Sequence, residues 1–254
     1  MKKKISIIKL GHVGRYFDMR VIQKWKSELF EVVSVQCVEH MPKANVCDSY
    51  LDQKYDREQL AEMIKCPTGS DLAIGIMPYR FVDNFYLHRV GSNCAVLSLY
   101  GIKDILREGS ISIENFILKQ VYEIVAISLM FDDISTDEIY DVVHADTRGC
   151  LFDLNGDKTD ILYNTEMPIL CDSCKGNIKK SQMETGLIEV LNNELHKIKK
   201  PIIVSVEKWI KKYPLVSILV AGLSAISLNL IASGLYDILK VVSQYITTAI
   251  EKLV

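Results

Sequence analysis

The chain has 254 residues, 49% of them hydrophobic and 24% charged, with a formal net charge of -2. That length holds one good-sized domain plus an appendage, and so small a net charge gives no electrostatic case for nucleic acid as the main partner. Seven cysteines, an odd number without dense pairing, do not describe a disulfide-rich secreted domain; they point to a reducing, cytosolic setting.

Lys2, Lys3 and Lys4 make a short basic start with no apolar stretch of the secretory kind behind it. KISIIKL then reads as a strand and GHVG as a turn. That turn lacks the third glycine and the lysine of a phosphate loop, so His12 is read as a turn residue. Met19, Ile22, Trp25 and Leu29 share one face of a helix expected over 17–30, and EVVSVQC comes next as a second strand. DREQLAEMIKC is a helix opened by Asp56. DLAIGI and CAVLSLY are apolar strands of the fully buried kind, with FYLHRVG between them as an edge strand that turns His88 outward. The order predicts an α/β fold, a twisted and mostly parallel sheet with flanking helices.

Farther on, IENFILKQVYEIVAISLM has helical spacing throughout. STDEIYDVVH begins with Ser135 and has Glu138 three residues later, a capping-box pattern, so a helix is expected from there to about His144. QMETGLIEVLNNELHKIKK is amphipathic, with Leu187, Val190, Leu191 and Leu195 on the apolar side. Residues 1–199 are read as the main domain and 200–254 as a tail. In the tail, residues 215–236 run for 22 positions without a charge, the length needed to cross a bilayer as a helix, so a transmembrane segment is expected at about 215–237. Ser217, Ala221, Ala225, Asn229 and Ser233 give it a face of small and polar residues suited to association with a second copy. An amphipathic helix is expected after Asp237, with Ile238, Val242, Tyr245, Ile246, Ala249 and Leu253 on one side. Lys208, Lys211 and Lys212 precede the span, whereas Lys240 and Lys252 lie after it beside Asp237 and Glu251, which places the large domain on the cytoplasmic side.

The chemistry concentrates in residues 144–174. Cys171 and Cys174 form a CxxC pair, Cys150 lies 21 residues earlier, and His144 six before that. Three thiolates and an imidazole make a closed, four-coordinate structural zinc site with no position left for a reactive water. The rival for a CxxC is a redox dithiol, which normally sits between a strand and a helix start; here a loop containing Pro168 leads into it.

From ISIIKLGHVG, DLAIGIMPYRF, AVLSLYGI and the cysteine cluster, residues 4–198 resemble the archaemetzincins, metzincin-type zinc metallopeptidases. Cys150 in CLF is similar to that family's CxM cysteine, and Cys171 with Cys174 to its terminal CxxC. The resemblance implies a metzincin-like fold and an active helix of the form HExxHxxGxxH. The matching stretch here is YEIVAISLMFD, which keeps Glu123 at the general-base position. Tyr122 and Ala126 stand where the first two histidines would be, Leu129 at the glycine and Asp132 at the third ligand. Without those imidazoles no open metal position forms, and Glu123 is expected to be a helix-surface carboxylate. The family's first cysteine has no counterpart, and His144 is taken as its substitute.

The function expected from all this is a non-catalytic binding or sensing module. It carries structural zinc, is held in a membrane through residues 215–237, forms homo-oligomers, takes a peptide or protein ligand, and resembles a defence- or stress-type effector in layout. Two alternatives compete with it. One is an active membrane-tethered metallopeptidase with non-standard ligands, the other a soluble protein whose apolar helix packs on a partner chain.

Overall fold

The computed structural model describes residues 2–13, 16–47, 52–180, 186–198 and 202–251. The chain divides into two compact units, Met1–Lys200 and Pro201–Val254. In chain order the first contains β1 (Lys3–Leu10), α1 (Met19–Gln23), β2 (Phe30–Val38), β3 (Val46–Cys47), β4 (Gln53–Tyr55) and α2 (Arg57–Met63). Then come β5 (Leu72–Met77), β6 (Arg80–Phe81), β7 (Leu87–Gly91), β8 (Cys94–Ser98), α3 (Ile102–Gly109) and α4 (Ile113–Met130). After two 3-10 turns, α5 (Ile161–Glu166), α6 (Asp172–Lys180) and α7 (Gly186–Leu195) complete it.

The main sheet has the order β2-β1-β5-β8-β7. Its pairings are parallel except the last, where β7 runs antiparallel to β8 at the edge. This is the expected mixed α/β architecture with a parallel-rich sheet. Every residue of β5 and β8 is buried, as strands covered on both faces require. β3, β4 and β6 make a separate small sheet. At Gly75 in β5 an added Cβ would meet Ile64 Cδ1 at 2.7 Å, so the sheet and the end of α2 approach closely there. Helix α4 is buried on all sides from Phe116 to Ser128, the mark of a central helix. Ile117, Val121 and Val125 join Ile7, Ile74 and Leu97 of the sheet and Leu191 and Leu195 of α7 in one core.

Three local expectations are corrected. The helix expected over 17–30 is only the five residues of α1. Beyond it, the Ser27 hydroxyl accepts hydrogen bonds from Leu29 and Phe30 N–H, and Trp25 donates to Tyr122, so tertiary bonds hold the segment in an irregular path into β2. At the second site the cap is Thr136, since Ser135 hydrogen-bonds Asp133 instead, and the expected helix is a 3-10 turn over Asp137–Asp141. The CxxC does open a helix, α6, which the preceding proline loop does not prevent.

The second unit contains α8 (Ile202–Lys212) and α9 (Pro214–Glu251). Within α9, Pro214–Tyr236 is long and apolar enough to cross a membrane, with mean hydropathy 2.2. The expected separate amphipathic helix is instead a continuation of α9 through Asp237; the side chains expected on its apolar side, Ile238, Val242, Tyr245, Ile246, Ala249 and Leu253, lie outside the described residues. Ser217, Ser224 and Ser227 donate their hydroxyls to carbonyls three or four residues back, so the helix itself satisfies them.

Candidate metal centre

The segment from His144 to Cys174 folds on itself through short parallel bridges. His144 pairs with Asp153, and Cys150 pairs with Ile169. Gly149, at φ 73, makes the turn that brings the strand-like Cys150 segment against Ile169. Cys171 stands just ahead of α6 and Cys174 within its first turn.

The result is a group of His144, Cys150, Cys171 and Cys174 whose ligand atoms all lie within 4.8 Å of one another. Cys150 and Cys174 Sγ are 3.7 Å apart, and Cys171 Sγ is 3.5 Å from His144 Nε2. A tetrahedral zinc with bonds of about 2.3 Å to sulfur and about 2.05 Å to nitrogen spaces two sulfurs by about 3.8 Å, and sulfur from nitrogen by about 3.5 Å. The Cys150–Cys174 and Cys171–His144 spacings therefore match such an ion, and all four donors lie close enough together to converge on one. Cys150 and Cys174 are buried, and the other two half-buried.

The surroundings also match a metal centre. His144 turns Nε2 to the thiols and Nδ1 toward the Asp146 carbonyl at 3.1 Å, with Asp153 Oδ1 at the same distance. Asp153 is buried and its other oxygen accepts the N–H groups of Arg148 and Cys150, so one carboxylate braces both ligand segments. Cys171 N–H donates to Cys150 Sγ, and the Arg148 guanidinium lies 3.8 Å from Cys171 Sγ. Contact with Cys174 draws the Cys150 thiol well below its ordinary value, while the same contact with Cys150 pushes Cys174 up. A thiolate is thus favoured in the cluster from the outset, and thiolate is the form that binds metal.

The residues matched to a peptidase helix are placed differently. Tyr122 is fully buried; its hydroxyl accepts from Trp25 Nε1 at 2.7 Å and donates to Glu194 at 2.8 Å. Glu194 also accepts from the Glu28 N–H at 2.6 Å and from the Ser27 hydroxyl. Ala126 is buried in the core, and Asp132 is exposed beyond the end of α4. Glu123 is not the surface carboxylate expected. It is 6% exposed and ion-paired at 2.8 Å with Lys119, itself fully buried. Among the described residues, His144, Cys150, Cys171 and Cys174 are the only group of metal-type donors brought together. His88 does not face outward either: it packs edge-on against Phe81 and lies 2.9 Å from Asp83, and burial, partly offset by Asp83, holds its pKa below the usual value.

Asp153, Lys119 and Glu194 are the participants that motif reading misses. Lys119 has a signal in its four-residue spacing from Glu123 within an apolar helix. Asp153 and Glu194 have none, because their partners lie on other elements.

The sequence matches no described protein family and no curated protein. Among solved structures, it is similar to archaemetzincin (amzA) from Methanopyrus kandleri at 11% identity and a TM-score of 0.43, over 71% of this chain and 95% of that one. At that distance no residue role transfers from one chain to the other.

Proposed function

We propose that the chain is a non-peptidolytic binding module, braced by one structural zinc and carried on a membrane through Pro214–Tyr236. The observation that carries this reading is the donor group itself, Cys150, Cys171, Cys174 and His144 within 4.8 Å of one another, with two of their spacings those of a tetrahedral zinc. Four protein ligands fill the coordination sphere of zinc and leave no site at which water is activated. On this reading the metzincin-like helix has become a core helix. Glu123 faces a lysine where a general base would need a polarised water, and Tyr122 serves as a strut between Trp25 and Glu194.

The membrane part of the proposal is supported by α9, whose apolar side chains, among them Leu215, Ile218, Leu223, Leu230 and Leu235, are exposed. Burying them in lipid removes a large apolar surface from water. Lys211 and Lys212 close α8 just before the span and favour a cytoplasmic first unit. Asn229 places an amide within the span, and such a group gains by finding a partner on a second copy. The module's ligand would be a peptide or protein, and the effector-type role rests on that arrangement.

Fractionation of cells expressing the full chain and a form ending at residue 200, with a peptide-hydrolysis assay on both, tests this reading. The full chain is expected in membranes, the short form in the soluble fraction, and neither should cleave peptide above a metal-free control. Chelator-sensitive cleavage, or a full chain found in the soluble fraction, contradicts it.

A further inference from the structure

A cavity of about 290 Å³ opens beside β7 and reaches inward to α4 and the Asp153 loop. Its lining divides by depth. Tyr86, Glu123 and Asp153 are 2%, 6% and 1% exposed and form the inner end. Arg57, Asp83 and Tyr140 are exposed and stand at the mouth, with Arg89 half-buried beside them.

The inner end is short of donors. Glu123 Oε2 accepts from the Lys119 ammonium, and among the described residues no hydrogen bond to its second oxygen is seen. Asp153 Oδ2 takes two backbone N–H groups, whereas Oδ1 is buried without an aligned hydrogen bond, since the nearby His144 Nδ1 is directed to the Asp146 carbonyl. The Tyr86 hydroxyl accepts from Asn155 Nδ2 at 2.9 Å and gives its proton to the Leu154 carbonyl. Buried acceptors of this kind are stabilised when a donor reaches them. Phe85, Tyr86 and Tyr140 add aromatic surface, which attracts cations.

We propose that this cavity binds the cationic head of a guanidinium compound, placed between Glu123 and Asp153 with its alkyl chain leaving past Tyr140. Guanidinium suits the inner end because its rigid fork of five donors serves two carboxylates at once. The arginines at the mouth set the direction of entry. Arg57 donates to the Arg89 carbonyl and keeps its charge at the rim, so a ligand bearing both signs enters cation first. The same head is available from free arginine-like amino acids and from arginine side chains of a peptide. This inference rests on the reading that the cleft binds and does not cleave.

Calorimetry on the purified full chain in detergent tests it with two probes, L-arginine and a capped Ala-Arg-Ala peptide, each beside its citrulline counterpart. At least one arginine probe should bind saturably, one per chain, and its citrulline form at least tenfold more weakly. The arm that binds identifies the source. The paired change Lys119→Met with Glu123→Gln should abolish binding without leaving a buried charge unpaired. Tyr140→Ala, at the exposed mouth, should weaken it several-fold, and Glu31→Gln on β2 should leave it unchanged. Binding of neither probe, or equal binding of the citrulline forms, overturns the assignment. Zinc content is read on the same samples. A chain that keeps its zinc and ignores both probes sinks the cavity assignment alone; one that binds arginine without zinc sinks the metal reading alone.

Discussion

Asp153 joins both segments of the candidate metal centre. It is buried, holds the N–H of Cys150 and of Arg148, and stands 3.1 Å from the imidazole of His144. Removing its charge while keeping its shape should loosen His144 and the Cys150 turn together. Asp153→Asn is therefore expected to weaken zinc affinity by about ten- to a hundredfold, measured by competition with a chelator; unchanged affinity would show the carboxylate to be a bystander. Glu194 plays a comparable part away from the metal. It accepts from Ser27, the Glu28 N–H and Tyr122, tying the irregular segment after α1 to α4 and α7. Glu194→Ala strands those donors in the interior, at a cost of about 3 kcal/mol or more in denaturant unfolding.

At the scale of elements, legibility depends on how local the determining interactions are. α4 is readable to its last residue because eighteen positions of continuous helical spacing, with Ser112 accepting from Asn115 N–H at its start, override weaker signals. Asp56 opens α2 by the expected cap, accepting from the Gln59 N–H. Sequence reading fails where distant partners decide. Nothing in the sequence near Trp25 and Ser27 announces Tyr122 and Glu194, so a periodic run ends as five helical residues. Helix α3 escapes it because a glycine in the left-handed region, Gly101 at φ 72, starts the helix without a side-chain cap. The same logic holds at the candidate metal centre: the grouping of His144, Cys150, Cys171 and Cys174 is legible from residue type and spacing, whereas the carboxylate behind His144 is not. The sheet offers a test of its own. In Gly75→Ala the new methyl meets Ile64, Leu10 and Val96 at 2.7, 3.1 and 3.3 Å, so overpacking is expected to cost about 1–3 kcal/mol. Little change in the unfolding midpoint would mean that α2 yields easily.

Taken as a whole, the chain joins two units of opposite character. Met1–Lys200 buries its apolar residues around α4, and the described part of Pro201–Val254 leaves its own exposed along α9. In the first unit the metal segment extends the core: Cys150, Leu151 and Cys174 pack in the same cluster as the central helix. A thiolate-bound ion there would hold together residues 144–174, which contain little other regular structure, so metal and folding should be coupled. Zinc stoichiometry of the purified chain, determined beside Cys171→Ser and His144→Ala with thermal unfolding of each, addresses this most directly. The account predicts one zinc per wild-type chain, loss of metal and a lowered melting temperature in Cys171→Ser, and weakened retention in His144→Ala. A wild-type chain that folds stably without zinc, or one holding a second ion whose removal abolishes peptide cleavage, would contradict it.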